Sequence, residues 1–173
     1  MTRSIIRVAS LLATLLLASM AYAQNARKPI EGVWKVTEIV VTGAGASHVA
    51  SPQPGLFIFT RGHYSMMSVP GNQPRALFKG EEPTNEEKIP AFDSFVANTG
   101  TYEVTGSSLT TRPIVARYPN FMAGGSDKYQ FRIEGSTLWL TEKSADLNTR
   151  VGQQVVPSTA PASETRLKLV RVE

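Results

Sequence analysis

The sequence contains no cysteine, which removes disulfides, thiolate metal sites and a cysteine nucleophile together. Histidine is almost as scarce. His48 and His63 are the only two, fewer ligands than the usual zinc and haem sites require, so neither a metal nor another cofactor is expected. No Gly-x-Ser-x-Gly elbow occurs, and Ser65 and Ser68 have no recognisable triad around them. No dense basic run with interleaved aromatics occurs either, so nucleic acid is not an expected partner. Beyond residue 20 no apolar run is long enough to form a membrane span.

The one long apolar run stands at the start. Arg3 and Arg7 precede a nearly unbroken apolar stretch from Val8 to Met20, and Ala21-Tyr22-Ala23 places small residues at the two positions that define cleavage. That run of about 13 residues is too short to cross a hydrocarbon core of roughly 30 Å. Met1–Ala23 therefore reads as a removable export signal. Taking 23 residues from 173 leaves 150, beginning near Gln24, a fitting size for one domain with a useful core. Losing Arg3 and Arg7 reduces 18 basic side chains to 16 against 14 acidic ones, and the formal charge from +4 to +2. Exported animal domains usually carry disulfides. A cysteine-free exported chain points instead to a bacterial periplasmic or secreted protein.

In the mature chain the dominant hydrophobic period is two. Gly32–Thr42 is rich in Val, Ile and Thr and reads as a long strand. Residues 43–54 form a small-residue loop. Leu56–Thr60 and His63–Val69 flank Arg61-Gly62 as a hairpin, and residues 70–83, with three prolines, are an irregular connection. One helix follows. Thr84 and Glu87 have capping-box spacing, and Ile89, Phe92, Phe95 and Val96 fall on one helical face. Pro90 lacks the donor for the carbonyl four residues back, which predicts a start nearer Pro90 or a kink there. Strand periodicity then returns over residues 99–105, 108–116, 128–133, 137–142 and 166–172. Residues 143–165 read as a long, partly mobile Ser/Thr/Ala/Pro segment. Eight strands with mostly short turns predict an all-β fold, an antiparallel meander closed into an eight-stranded barrel. The one short helix is expected between the third and fourth strands, and a two-sheet sandwich is the rival.

Gly32-Val33-Trp34 ahead of a β run resembles the Gly-x-Trp signature of lipocalins and related calycin barrels. Arg171 stands where those proteins often pack an arginine over the tryptophan. A more specific resemblance is to the bacterial lipocalin-like domain family, carried in order by Thr60-Arg61-Gly62-His63-Tyr64-Ser65, by Glu86–Asp93 (EEKIPAFD), by Gly100-Thr101-Tyr102-Glu103-Val104, by Pro119-Asn120-Phe121 and by Glu134–Leu138 (EGSTL). It extends from about Ile30 to Val172. Thr111 and Arg112 depart from it, since histidines are frequent there in the family. Classical lipocalins also place their helix after the eighth strand. The resemblance implies a barrel and a pocket, without a particular ligand.

The expected function is binding of a small, mostly apolar molecule, with an anionic end as one option. Tyr64, Met66, Phe92, Phe95, Tyr102, Arg112, Tyr129, Phe131 and Trp139 are the expected lining, and the competing reading of these side chains is a filled core. Trp34 and Arg171 would form a cation–π pair at the barrel end. Arg75 and Arg112 are the cations best suited to a carboxylate or phenolate. A second reading is a barrel enzyme that isomerises or cyclises an apolar substrate, with Tyr64, His63, Arg75 and Arg112 as acid, base or oxyanion partners. A third is a non-catalytic envelope component that acts through its surface. The paired acids Glu81-Glu82 and Glu86-Glu87 sit at the helix start, where they complement its dipole. Nothing in the sequence sets an oligomeric state.

Overall fold

A computed structural model describes residues 29–173, and the expected leader, Met1–Ala23, lies outside them. Eleven strands occur among the described residues. They are β1 (Gly32–Gly43), β2 (Ser47–Val49), β3 (Gly55–Phe59), β4 (His63–Ser68), β5 (Val96–Thr105), β6 (Ser108–Ala116), β7 (Asp127–Glu134), β8 (Thr137–Lys143), β9 (Asn148–Val151), β10 (Gln154–Pro157) and β11 (Ser163–Arg171). Helix α1 (Asn85–Asp93) links β4 to β5, and a single turn, α2 (Pro119–Met122), links β6 to β7.

Antiparallel pairing runs in the order β11-β8-β7-β6-β5-β4-β3-β1, and β11 also pairs with β1. That last ladder joins the two ends of the sheet. The result is a closed eight-stranded barrel, which excludes the two-sheet sandwich and leaves no free edge in the ring. The long strand β1 serves three partners. Its first residues pair with β3, Ile39–Val41 pair with β2 on the same edge, and its other edge takes β11. A register shift between Val36 and Glu38 moves the inward set from even to odd positions. Trp34 and Val36 point inward before it, Ile39 after it.

Three sequence expectations are corrected. The helix follows the fourth strand rather than lying between the third and fourth, because residues 47–49 of the small-residue loop pair with β1 as an additional strand. Its capping box is present and sets the start at Asn85, so the helix runs through Pro90 instead of beginning there. Residues 143–165 are mostly ordered into pairs. A 3-10 turn (Ser144–Asp146) and the β9–β10 hairpin around Gly152 occupy much of the segment, and an isolated bridge ties Asn148 to Ser126.

The meander sorts its connections by end. The three at one end are short (60–62, 106–107, 135–136), and the four at the other are long (44–54, 69–95, 117–126, 144–162). The short-turn end also holds the chain ahead of β1, which lies across it.

Candidate functional site

The short-turn end is sealed. Trp34 is fully buried, and its indole Nε1 donates to the Ile30 carbonyl at 2.8 Å. The Arg171 guanidinium lies 4.1 Å from the indole centroid and donates to the carbonyls of Glu31 (2.6 Å) and Pro29 (2.7 Å). Gly32 makes this stacking possible: its φ is +144°, and a Cβ there would stand 2.2 Å from Arg171 Nη1. Above the seal the interior is packed. Phe59 meets Tyr102 edge-on at 5.4 Å, the Tyr102 hydroxyl donates to the Thr60 carbonyl at 2.6 Å, and Leu109, Leu138, Leu140 and Leu169 are completely buried. This half of the barrel is core.

Toward the long-loop end the interior changes character. β7 presents Asp127 and Tyr129 inward, β8 presents Glu142 after Leu138 and Leu140, and β6 presents Thr111, while Tyr64, near the short-turn start of β4, extends toward Thr111 from the other side. Pairing sets Thr111 beside Asp127 and Tyr129 beside Glu142. The Tyr129 hydroxyl lies close enough to the Asp127 carboxylate to favour its charged form, while Asp127 Oδ1 is buried without a partner. Tyr64 Oη lies near Thr111, yet it too is buried without a hydrogen bond of normal geometry. Thr111 Oγ1 is turned to the Asp127 carbonyl at 3.4 Å.

Burial dominates the acid–base behaviour of this cluster. It pushes Asp127 up to about 6 and Glu142 up to about 8, and the nearby Asp146 carboxylate, with Asp127 acting on Glu142, adds in the same direction. The Tyr129 hydroxyl and the Lys128 backbone act against burial at Asp127. Tyr64 is raised to about 12 by burial, and Tyr129 well above the usual phenol value. Near neutral pH the arrangement is therefore one carboxylate, one carboxylic acid and two neutral phenols. It can accept hydrogen bonds, donate them, or receive a positive charge.

The expected lining residues divide in two. Tyr64, Met66, Tyr102, Tyr129 and Phe131 belong to the interior, buried in the core or packed against it. The others do not join them. Arg112 is exposed, because Thr111 is the inward residue of that pair. Trp139 alternates with buried Leu138 and Leu140 and faces outward, with Lys168 and Arg132 at 5.3 and 5.7 Å from its ring. Phe92, on α1, is half-exposed, edge-on to Tyr118 at 5.4 Å, with the Arg117 guanidinium over both rings. Phe95 lies past the helix, under Arg75 at 5.2 Å. α1 buries none of its residues, so the apolar face expected on it is a surface.

The acid–base set expected for an enzyme is also dispersed. His63 and Arg75 are exposed, as is Arg112, and Arg75 serves as a strap, donating to the Ala91 carbonyl at 2.8 Å and to Ser94 Oγ at 3.3 Å. Sequence reasoning missed Asp127, Thr111 and Glu142. A signal existed: the inward series Leu138, Leu140, Glu142 ends in an acid, and the series Ile133, Phe131, Tyr129, Asp127 does the same on the paired strand.

Three hollows lie against the outer wall. One of about 520 Å³ crosses β1, β11, β8 and β7 beside Trp139, one of about 530 Å³ separates α1 from residues 69–79, and one of about 410 Å³ lies between Met67, Phe95 and Val115. Among the described residues no group of three or more His, Asp or Glu side chains could hold a metal ion, and no helix is long and apolar enough to cross a membrane. The profile of a family described as a lipocalin-like domain matches residues 31–159, which covers the barrel except β11. No curated protein matches the chain.

Proposed function

Because this chain belongs to the lipocalin-like domain family, we propose that it binds one small, mostly apolar molecule inside the barrel. The ligand's polar end is placed at the Asp127–Tyr129–Glu142–Tyr64 cluster. The observation that carries this reading is that two of the buried polar atoms left without partners, Asp127 Oδ1 and Tyr64 Oη, belong to inward-facing side chains of the barrel. Buried polar atoms are nearly always satisfied, and each one left unpaired costs about 1–3 kcal/mol. A guest that enters between the long connections supplies the partners. Val41 and Leu167, partly buried against the core, offer the apolar wall for its remainder.

The cluster is acidic, so the ligand's polar end is a donor, and the anionic option is set aside. An export route for the protein rests on Met1–Ala23 alone and is tested by N-terminal sequencing of the protein from its host, with Gln24 expected first.

Binding is tested by thermal shift with 1-octanol and longer chain alcohols, since a ligand specific for the native state raises the melting temperature in proportion to ln(1 + [L]/Kd). A saturable upward shift is expected, abolished by Leu167→Trp, which enlarges the inward side chain next along β11 from Thr165, the residue opposite Glu142. No shift with any chain length would overturn the reading.

A further inference from the structure

Resting on that reading of the interior, we infer that the polar end of the ligand is a protonated amine, seated between Asp127 and Glu142 beside the Tyr64 hydroxyl. Buried carboxylates normally face a cation or a full set of donors, because an unpaired interior charge is costly. Here neither is present. The groups that act on Asp127 and Glu142 from the elements around them are Tyr129 of β7, the Lys128 backbone and Asp146 of the 3-10 turn, and none supplies a positive charge. Thr165, opposite Glu142 on β11, does not titrate. The cations of the surrounding elements lie elsewhere: Lys128 and Lys143, beside the two acids in sequence, are exposed, Arg117 stands over Phe92 and Tyr118, and Arg150 donates to the carbonyls of Ala123 and Gln153. Arg112 points to solvent.

Asp127 is 5% exposed and Tyr64 2%, so both orphaned atoms face the interior and can be reached only by a group that enters it. An ammonium group has three donors and no acceptor. It can donate to Asp127 Oδ1, to Glu142 and to Tyr64 Oη, three atoms that no side chain satisfies together. A metal ion is disfavoured by the lack of a third carboxylate or histidine at ligating distance. A neutral alcohol would satisfy one acceptor and leave the charge unopposed. Glu142, raised to about 8 by burial, is protonated at neutral pH in the free protein. A cation arriving beside it favours the charged form, so amine binding releases a proton into solution.

The test is isothermal titration at pH 7 of n-octylamine, 1-octanol and octanoate, each in two buffers of different ionisation enthalpy. The amine is expected to bind about tenfold more tightly than the alcohol, with octanoate weakest. Its heat should depend on the buffer through release of one proton or a fraction of one, and Glu142→Gln should abolish that dependence. Asp127→Asn should weaken the amine about tenfold and leave the alcohol unchanged. Both amides remove a costly buried acid, so the variants should fold; Tyr64→Phe, weakening the amine alone, is the conservative check. Alcohol or octanoate binding as tightly as the amine would overturn the inference and leave the ligand-binding reading standing. The same holds for amine affinity indifferent to all three substitutions, or for calcium chloride binding in place of the amine. No binding by any of the three probes would overturn both.

Discussion

At the scale of single residues the barrel rests on a few irreplaceable contacts. Arg171 stacks on Trp34 and uses both arms of its fork on the carbonyls of Glu31 and Pro29. Arg171→Ala removes a cation–π contact and two charge-assisted donors, with an expected loss of about 2–4 kcal/mol in urea unfolding. Arg171→Lys should recover little of it, since an ammonium lacks the planar fork. Gly100 is constrained by space rather than by φ. A Cβ there would stand 2.0 Å from the Arg112 carbonyl oxygen, where β5 and β6 change register, so Gly100→Ala should prevent the strands from closing. Asp127 and Glu142 make stability depend on pH. Both are raised in the folded state, so the native protein binds more protons than the unfolded chain between their ordinary and raised values. Their contribution to stability is then fullest below about pH 4 and is lost as pH rises from there through about 6 and 8, by several kcal/mol in all. Melting temperatures measured from pH 5 to 9 should fall, and Glu142→Gln should flatten the upper part of the decline. A melting temperature that rises across this range would contradict the assignment.

At the scale of elements, α1 is the outlier. It has a complete capping box, Thr84 accepting from the Glu87 amide at 3.3 Å and Glu87 accepting from the Thr84 amide at 2.9 Å, yet it buries nothing. What fastens it is not a hydrophobic face. Arg117 donates to the Phe92 carbonyl and covers the Phe92 and Tyr118 rings, and Arg75 holds the C-terminal end. Arg117→Ala should therefore speed amide exchange across residues 85–95 several-fold while global unfolding changes by about 1 kcal/mol or less. Equal protection in the variant would show that other contacts secure the helix. The strands read more faithfully than the helix. Tyr129, Phe131 and Ile133 alternate inward as their spacing implies, because a half-buried strand imposes a strict period of two. The apolar periodicity of residues 89–96 misled because Phe95 and Val96 lie beyond the helix end, with Val96 already starting β5. The β9–β10 hairpin was hidden by its shortness, since strands of four residues show too little of a period of two and neither contributes to the core.

At the scale of the whole molecule, closure depends on the last strand. β11 pairs with both β1 and β8, so truncation before Ser163 would expose two long edges and uncover Trp34. Such a chain should be recovered as aggregate, and a soluble, cooperatively melting product would contradict the barrel's dependence on that ladder. The sorting of short turns to one end and long connections to the other sets where a guest can enter and which end is closed. By itself the sequence determined the β meander and the inward phase of most strands, because these follow from local alternation and turn chemistry, while the end sealed by Gly32, Trp34 and Arg171 was legible only through the resemblance to lipocalins. Only the tertiary structure decided that Asp127, Glu142, Tyr64 and Thr111 converge, while Trp139, Phe92, Phe95 and Arg112 stay outside. Thr111, Asp127 and Glu142 come from three successive paired strands, whereas Tyr64 comes from β4, which pairs with none of them; its approach follows from the curvature of the ring, which the spacing of no single segment records.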